Sequence, residues 1–278
     1  MQNIFQIAAA CLHVSDIDTK LELTHSAWKM YRAGDLEFHS RQPPLAIAET
    51  RFPARPVLCD PRKMPRRKLT SPAGMLAFYH AIAHIEFVAI HLAWDILYRF
   101  RGMPQAFYQD WLRVAHEEAQ HFTLLREQLL NRGCDYGKLS AHRGLWDVAE
   151  DTADDLLARL ALVPRFMEAR GLDVTPGMID RFRQIDDQQG VAILMRILED
   201  EIGHVALGSR WFSAVCRERS IDPERHYRQL IATYFKGSQR GSLNRELRKK
   251  AGFSDAELDW LEQDDYAAAL YMTKNTES

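Results

Sequence analysis

Apolar residues recur along most of this chain at helical spacing, with no convincing run of strict strand alternation. Ile4, Ile7, Ala8, Cys11 and Leu12 open the sequence in that pattern, and residues 4–33 read as one or two helices, with Asp16 and Asp18 as caps before Leu21. The pattern breaks over 42–72, where Pro43, Pro44, Pro53, Pro56, Pro61, Pro65 and Pro72 exclude a long helix and predict an extended arm that packs through its apolar residues. Ser71 followed by Pro72 then marks a capped helix start. From there helices are expected to about Phe100, from about Gln105 to Arg132, and from about Trp146 to Arg170 with a kink at Pro164. A short helix is expected over 176–186, and a long one from near Gly190 to about Arg219. Gly102, Gly133 and Gly171 are the expected stops. Residues 223–274 read as a short helix, a basic loop and an amphipathic helix around Asp255–Leu261. The class is all-α, divided as residues 1–70 (helices and Pro-rich arm), 71–220 (four-helix bundle) and 221–278 (helical extension).

Two stretches carry one pattern 83 positions apart: Arg113-Val-Ala-His-Glu-Glu118-Ala-Gln-His121 and Arg196-Ile-Leu-Glu-Asp-Glu201-Ile-Gly-His204. Each holds Glu-x-x-His, an acid just before that Glu, and an Arg five residues before it. Positions i and i+3 share a helix face, so each stretch presents a carboxylate beside an imidazole. That face is otherwise apolar, with Val114, Phe122 and Leu125 around Glu118, and Leu194, Ile197 and Val205 around Glu201. A buried carboxylate is costly unless it takes up a proton or meets a cation. One Glu-x-x-His is weak, because solvated helix faces produce it by chance; two copies in apolar stripes are a stronger signal.

Glu86 is a third carboxylate in an apolar stripe, among Tyr79, Ile82, Ala83 and Ile90. It lies 16 residues before Gly102 and Glu118 lies 16 after, so an antiparallel hairpin turning there sets both about 24 Å from the turn. Glu168, 82 positions after Glu86, is the best fourth carboxylate, though it falls near the end of its expected helix; Glu150 and Asp154 are fallbacks. Four carboxylates and two imidazoles suit two adjacent ions of iron or manganese, alike or mixed. Glu117 and Asp200 are placed to accept the free ring N–H of the histidine on the opposite helix. Tyr79, on the Glu86 face, is a candidate donor or redox partner, with plain packing an equal reading. His80, His84 and His91 form a separate stripe better suited to a helix–helix contact than to ligation, and His116 points away from the motif.

The remaining features narrow the function classes. A length of 278 residues allows one large domain or a domain with appendages, and a net charge of −2 asks for neither nucleic acid nor an anionic membrane. The basic runs Arg62–Lys68 and Lys236–Lys250 hold few aromatics, so solvated or acid-paired faces are expected ahead of RNA contact. Four scattered cysteines, without CxxC, fit reduced thiols in a cytoplasmic protein. The first residues make a poor signal peptide, and no spanning helix is expected.

With Glu86, Glu118-x-x-His121, Glu168 and Glu201-x-x-His204 in place, the chain resembles the ferritin-like superfamily of di-iron carboxylate bundles, which carry Glu on one helix pair and Glu-x-x-His on the other. More narrowly, His84-Ile-Glu86, Glu168-Ala-Arg-Gly-Leu-Asp-Val-Thr-Pro176, Asp200-Glu-Ile-Gly-His204 and Asn244-x-x-x-Arg248-x-x-Ala251-Gly-Phe resemble a bacterial family of uncharacterised ferritin-like domains. It is distantly similar to the tRNA hydroxylase branch of the superfamily. The resemblance implies the fold and the ligand set, Glu86, Glu118 and His121 on one metal and Glu168, Glu201 and His204 on the other; the leading reading of activity is a non-haem di-iron or di-manganese oxidoreductase that activates O2 or peroxide. A hydroxylase acting on a small molecule, fed by a separate electron donor, is one form of this, and a homodimer is compatible with it. The alternatives are iron binding or storage without organic substrate, an RNA-modifying hydroxylase, and a metal-free helical scaffold. Substrate and reaction are not implied, because one fold hosts many activities.

Overall fold

The computed structural model describes residues 1–40, 42–44, 52–60, 69–235, 241–263 and 266. They form two compact units, Met1–Glu150 and Asp151–Ser278, and among them regular structure is almost wholly helical.

The first unit is built on a helical hairpin. α3 (Pro72–Arg99) starts where Ser71 accepts the Gly74 N–H and Pro72 needs no partner for a missing one. α4 (Gln105–Asn131) returns after Gly102, whose φ of +77° a side-chain-bearing residue rarely adopts. The two helices pack along one another. α1 (Ile4–His13) lies on α3 and α2 (Ile17–Ala33) on α4, and Trp94 Nε1 donates to Thr24 Oγ1 at 3.0 Å to tie α2 to α3. Two-residue strands β1 (Gln2–Asn3) and β2 (Leu36–Glu37) pair in parallel and close the ends of α1 and α2. The described part of the Pro-rich arm makes no helix; it packs on this unit through a bridge between Leu58 and Ala141. α5 (Gly144–Asp151) ends the unit.

By length and composition α3 could cross a membrane, contrary to the expectation from sequence. Its apolar surface is instead taken up by protein: Phe87, Ile90, Ala93, Trp94 and Leu97 are buried.

The second unit departs from the sequence reading between 146 and 186. One kinked helix ending at Gly171 and a separate short helix over 176–186 were expected. The structure has α6 (Leu156–Leu162), a π-helical turn (Val163–Glu168) and α7 (Ala169–Gln184), running on without a stop at Gly171 and carrying Pro176 inside. Pro164 is the physical reason for the first change: it has no N–H to give to the preceding turn, and a wide i→i+5 turn absorbs the lost bond. Glu168 therefore stands mid-element, at the junction with α7, and not near a helix end. α8 (Gln188–Glu218) packs on α6, the π turn and α7. α9 (Pro223–Tyr234), α10 (Arg245–Lys250) and α11 (Asp255–Leu261) cover that group.

Candidate metal centre

Glu86 on α3 and Glu118 and His121 on α4 meet inside the first unit. His121 Nδ1 lies 3.1 Å from Glu86 Oε2 and 3.4 Å from Glu118 Oε2. All three are buried, at 4, 1 and 1% exposure. Hairpin counting anticipated this meeting, because equal distances from Gly102 put both carboxylates at one level. Each residue offers one ligand atom, and these atoms lie within 4.8 Å of one another, a grouping that could hold a metal ion. Burial first, and then the negative charge of Glu118, push the Glu86 carboxyl well above the usual carboxylate range, while His121 pulls the other way. Two carboxylates in a dry interior fit a cation, which would replace their repulsion with attraction.

The second unit repeats the i, i+3 half of this arrangement on α8. His204 is fully buried, with Nδ1 3.6 Å from Oε1 of the half-buried Glu201. Glu168 is half-buried at the end of the π turn.

The other parts of the repeat have plainer partners. Arg113 lies 4.0 Å from Glu117, and Arg196 Nε donates to Asp200 at 2.6 Å. In each copy the Arg lies within ion-pair distance of the acid four positions on, as i, i+4 neighbours on a helix do. Tyr79 is buried under the Arg132 guanidinium, which lies 4.6 Å from its ring centre. The fallback carboxylates fall away from the core: Asp154 is exposed, and Glu150 accepts from Trp146 Nε1 at 3.0 Å and from Arg143.

His80 and His84 meet a loop, where a helix–helix contact was expected. His80 Nε2 accepts the Gly137 N–H at 2.9 Å; the two ring nitrogens of His84 lie 2.8 Å from the Tyr136 hydroxyl and from the His142 carbonyl. His91 stacks on Phe52 from the arm, and His116 on α4 meets His25 on α2, Nδ1 to Nδ1 at 3.0 Å. The described part of the 236–250 basic run is acid-paired: Arg245 with Asp255, Asp259 and Glu262, Arg248 with Asp173, Lys249 with Asp255, Lys250 with Glu246. The 62–68 run lies outside the described residues. None of the four cysteines forms a disulfide.

Sequence reasoning missed Arg165, which is 2% exposed on the π turn and paired with Glu257 92 positions away. An arginine inside the apolar stretch Leu160–Phe166 was the available signal, but nothing local names its partner.

Fold and site together define a mostly helical protein with a buried carboxylate–imidazole cluster. The chain belongs to the family described as "Protein of unknown function (DUF455)", whose model matches residues 13–259. It is 42% identical over 230 residues to a Haemophilus influenzae protein described as an "Uncharacterized protein", covering 80% of each chain. No solved structure matches the chain.

Proposed function

We propose that this protein is a ferritin-like, non-haem di-metal oxidoreductase that uses iron or manganese to activate O2 or peroxide. The observation that carries the reading is the buried Glu86–Glu118–His121 cluster, whose carboxylate–imidazole half recurs on α8 as Glu201 and His204. In this reading the fold is ferritin-like, with two of its ligand-bearing helical elements, α3 and α4, in the first unit and two, α6–α7 and α8, in the second. Glu86, Glu118 and His121 would hold one ion, and Glu168, Glu201 and His204 would hold the other. Bound there, the metals would supply redox chemistry toward dioxygen or peroxide. The chain's own part is to provide hard and borderline donors, to exclude water and to hold the ligands in place. A hydroxylase of a small molecule, supplied by a separate electron donor, is the form we favour. The undivided thiols suit the cytoplasm, where such a donor would be met.

Elemental analysis of protein expressed in iron-supplemented medium tests this: about two ions per chain are expected. Glu118→Ala with Glu201→Ala should abolish uptake while circular dichroism stays helical. Full metal in that double variant would sink the ligand assignment. Iron storage without substrate is separated by gel filtration, since it requires a large symmetric shell. An RNA substrate is disfavoured by the acid partners of Arg245, Arg248, Lys249 and Lys250, and absence of RNA binding at low salt would remove it.

A further inference from the structure

The π turn that ends in Glu168 is held by one buried arginine. Arg165 Nε donates to Ser209 Oγ at 3.1 Å, and Nη2 donates to Glu257 Oε1 at 2.8 Å. Its guanidinium carbon lies 4.3 Å from the Tyr227 ring centre, 4.8 Å from that of Phe253 and 5.0 Å from that of Phe212. Tyr227 also donates its hydroxyl to the Arg165 carbonyl at 3.2 Å. One guanidinium thus joins the π turn to α8, α9, the turn after α10, and α11.

The partner carboxylate is itself held. Glu257 closes a capping box at the start of α11, its Oε2 accepting the Ser254 N–H at 3.0 Å while its own N–H goes to Ser254 Oγ. From the other side, α8 admits the turn only because residue 208 is glycine. A Cβ there would lie 2.7 Å from both Cβ and Cγ of Pro164. Gly208 is one turn beyond His204 on the same helix.

A π turn contains one residue more than an α turn, so it rotates everything after it by roughly 100°. Glu168 is the last residue of that turn, three after Arg165. Where the turn is pinned therefore decides which way Glu168 faces relative to Glu201 and His204. We propose that Arg165 is a positioning residue. Clamped by Glu257, Ser209 and three aromatic rings, and seated through Pro164 on Gly208, it sets the register in which Glu168 joins the second metal position. The C-terminal helices, which a plain four-helix bundle does not need, supply this clamp. The inference rests on the proposed assignment of Glu168, Glu201 and His204 as ligands.

Cobalt(II) titration of the metal-free full chain, followed by visible absorption, tests it without any substrate. The natural protein should take up two equivalents with resolved ligand-field bands. Arg165→Met should weaken one equivalent at least tenfold and alter its bands, leaving the other unchanged. Arg165→Lys, which keeps the charge but loses the planar fork, should fall between. Gly208→Ala perturbs the same seat from the opposite side and should shift the same bands. Where Arg165→Met does not fold, Glu257→Gln and Gly208→Ala carry the test. Folded variants that lose only thermal stability, with both equivalents and the spectrum of the natural protein, overturn the inference. Failure of the natural protein to bind cobalt would instead overturn the metal reading itself.

Discussion

The imidazole of His121 stands 3.1 Å from the carboxylate of Glu86, joining two helices across 35 positions of sequence. Glu118 completes a group with two carboxylates and one imidazole, all almost without solvent. Such a cluster is a liability when empty and an asset when it holds a cation, and the first expected outcome follows from that asymmetry.

Glu86→Gln should have opposite effects on stability with and without metal. In chelator-treated protein it replaces a buried carboxyl that burial and Glu118 make costly to ionise with a neutral amide, and should raise Tm. In metal-loaded protein it removes a ligand, and with it part of the stabilisation that binding to the folded state provides, so Tm should fall. Differential scanning calorimetry of both forms checks this; a change of the same sign in both would argue against a cation between Glu86 and Glu118.

Acid should loosen the loop carried by α3. Burial is the first cause that lowers both His80 and His84 to about 4. A free histidine titrates near 6.5. Between those values the unfolded chain takes up protons that the folded one refuses, so stability is full above about pH 6.5 and is lost as pH falls toward 4. His80→Gln, which keeps an acceptor for the Gly137 N–H, should flatten that slope in urea denaturation. Some slope should survive, because His116 is lowered to about 4 as well, chiefly by burial.

Removing Arg248 should be among the costliest single changes. Its side chain and that of Asp173 are both 0% exposed, bonded at 2.9 and 2.7 Å, and Asp173 also accepts the Asn244 N–H at 2.8 Å. Arg248→Met leaves a buried carboxylate short of its main partner and should cost about 3–5 kcal/mol in chemical denaturation. Adding Asp173→Asn, which keeps an acceptor for Asn244, should recover much of that.

Arg113→Ala and Arg196→Ala should matter little, although both arginines recur in the repeat. Their side chains are 43 and 53% exposed, and each pairs along its own helix surface. A loss below about 1 kcal/mol and unchanged metal content are expected. If elemental analysis shows either variant losing an ion, these arginines do more than decorate the helix.

The sequence by itself determined the helical class, the α3–α4 hairpin and the side-by-side carboxylate and imidazole within each Glu-x-x-His. These depend on local rules: periodicity, Ser71 and Pro72 at a helix start, Gly102 at a turn, and the fixed angle between i and i+3. Even the meeting of Glu86 with Glu118 follows from counting, because a hairpin is symmetric about its turn. Tertiary structure decided the rest. Pro164 announces a break but not its kind; the π turn found there sits against Gly208 of α8, and its Arg165 pairs with Glu257. Likewise His80 and His84 share a stripe with His91, yet the loop at 136–142 claims the first two and the arm's Phe52 the third. Such partners lie about 40 to 90 positions away in sequence, where periodicity carries no information and only packing chooses.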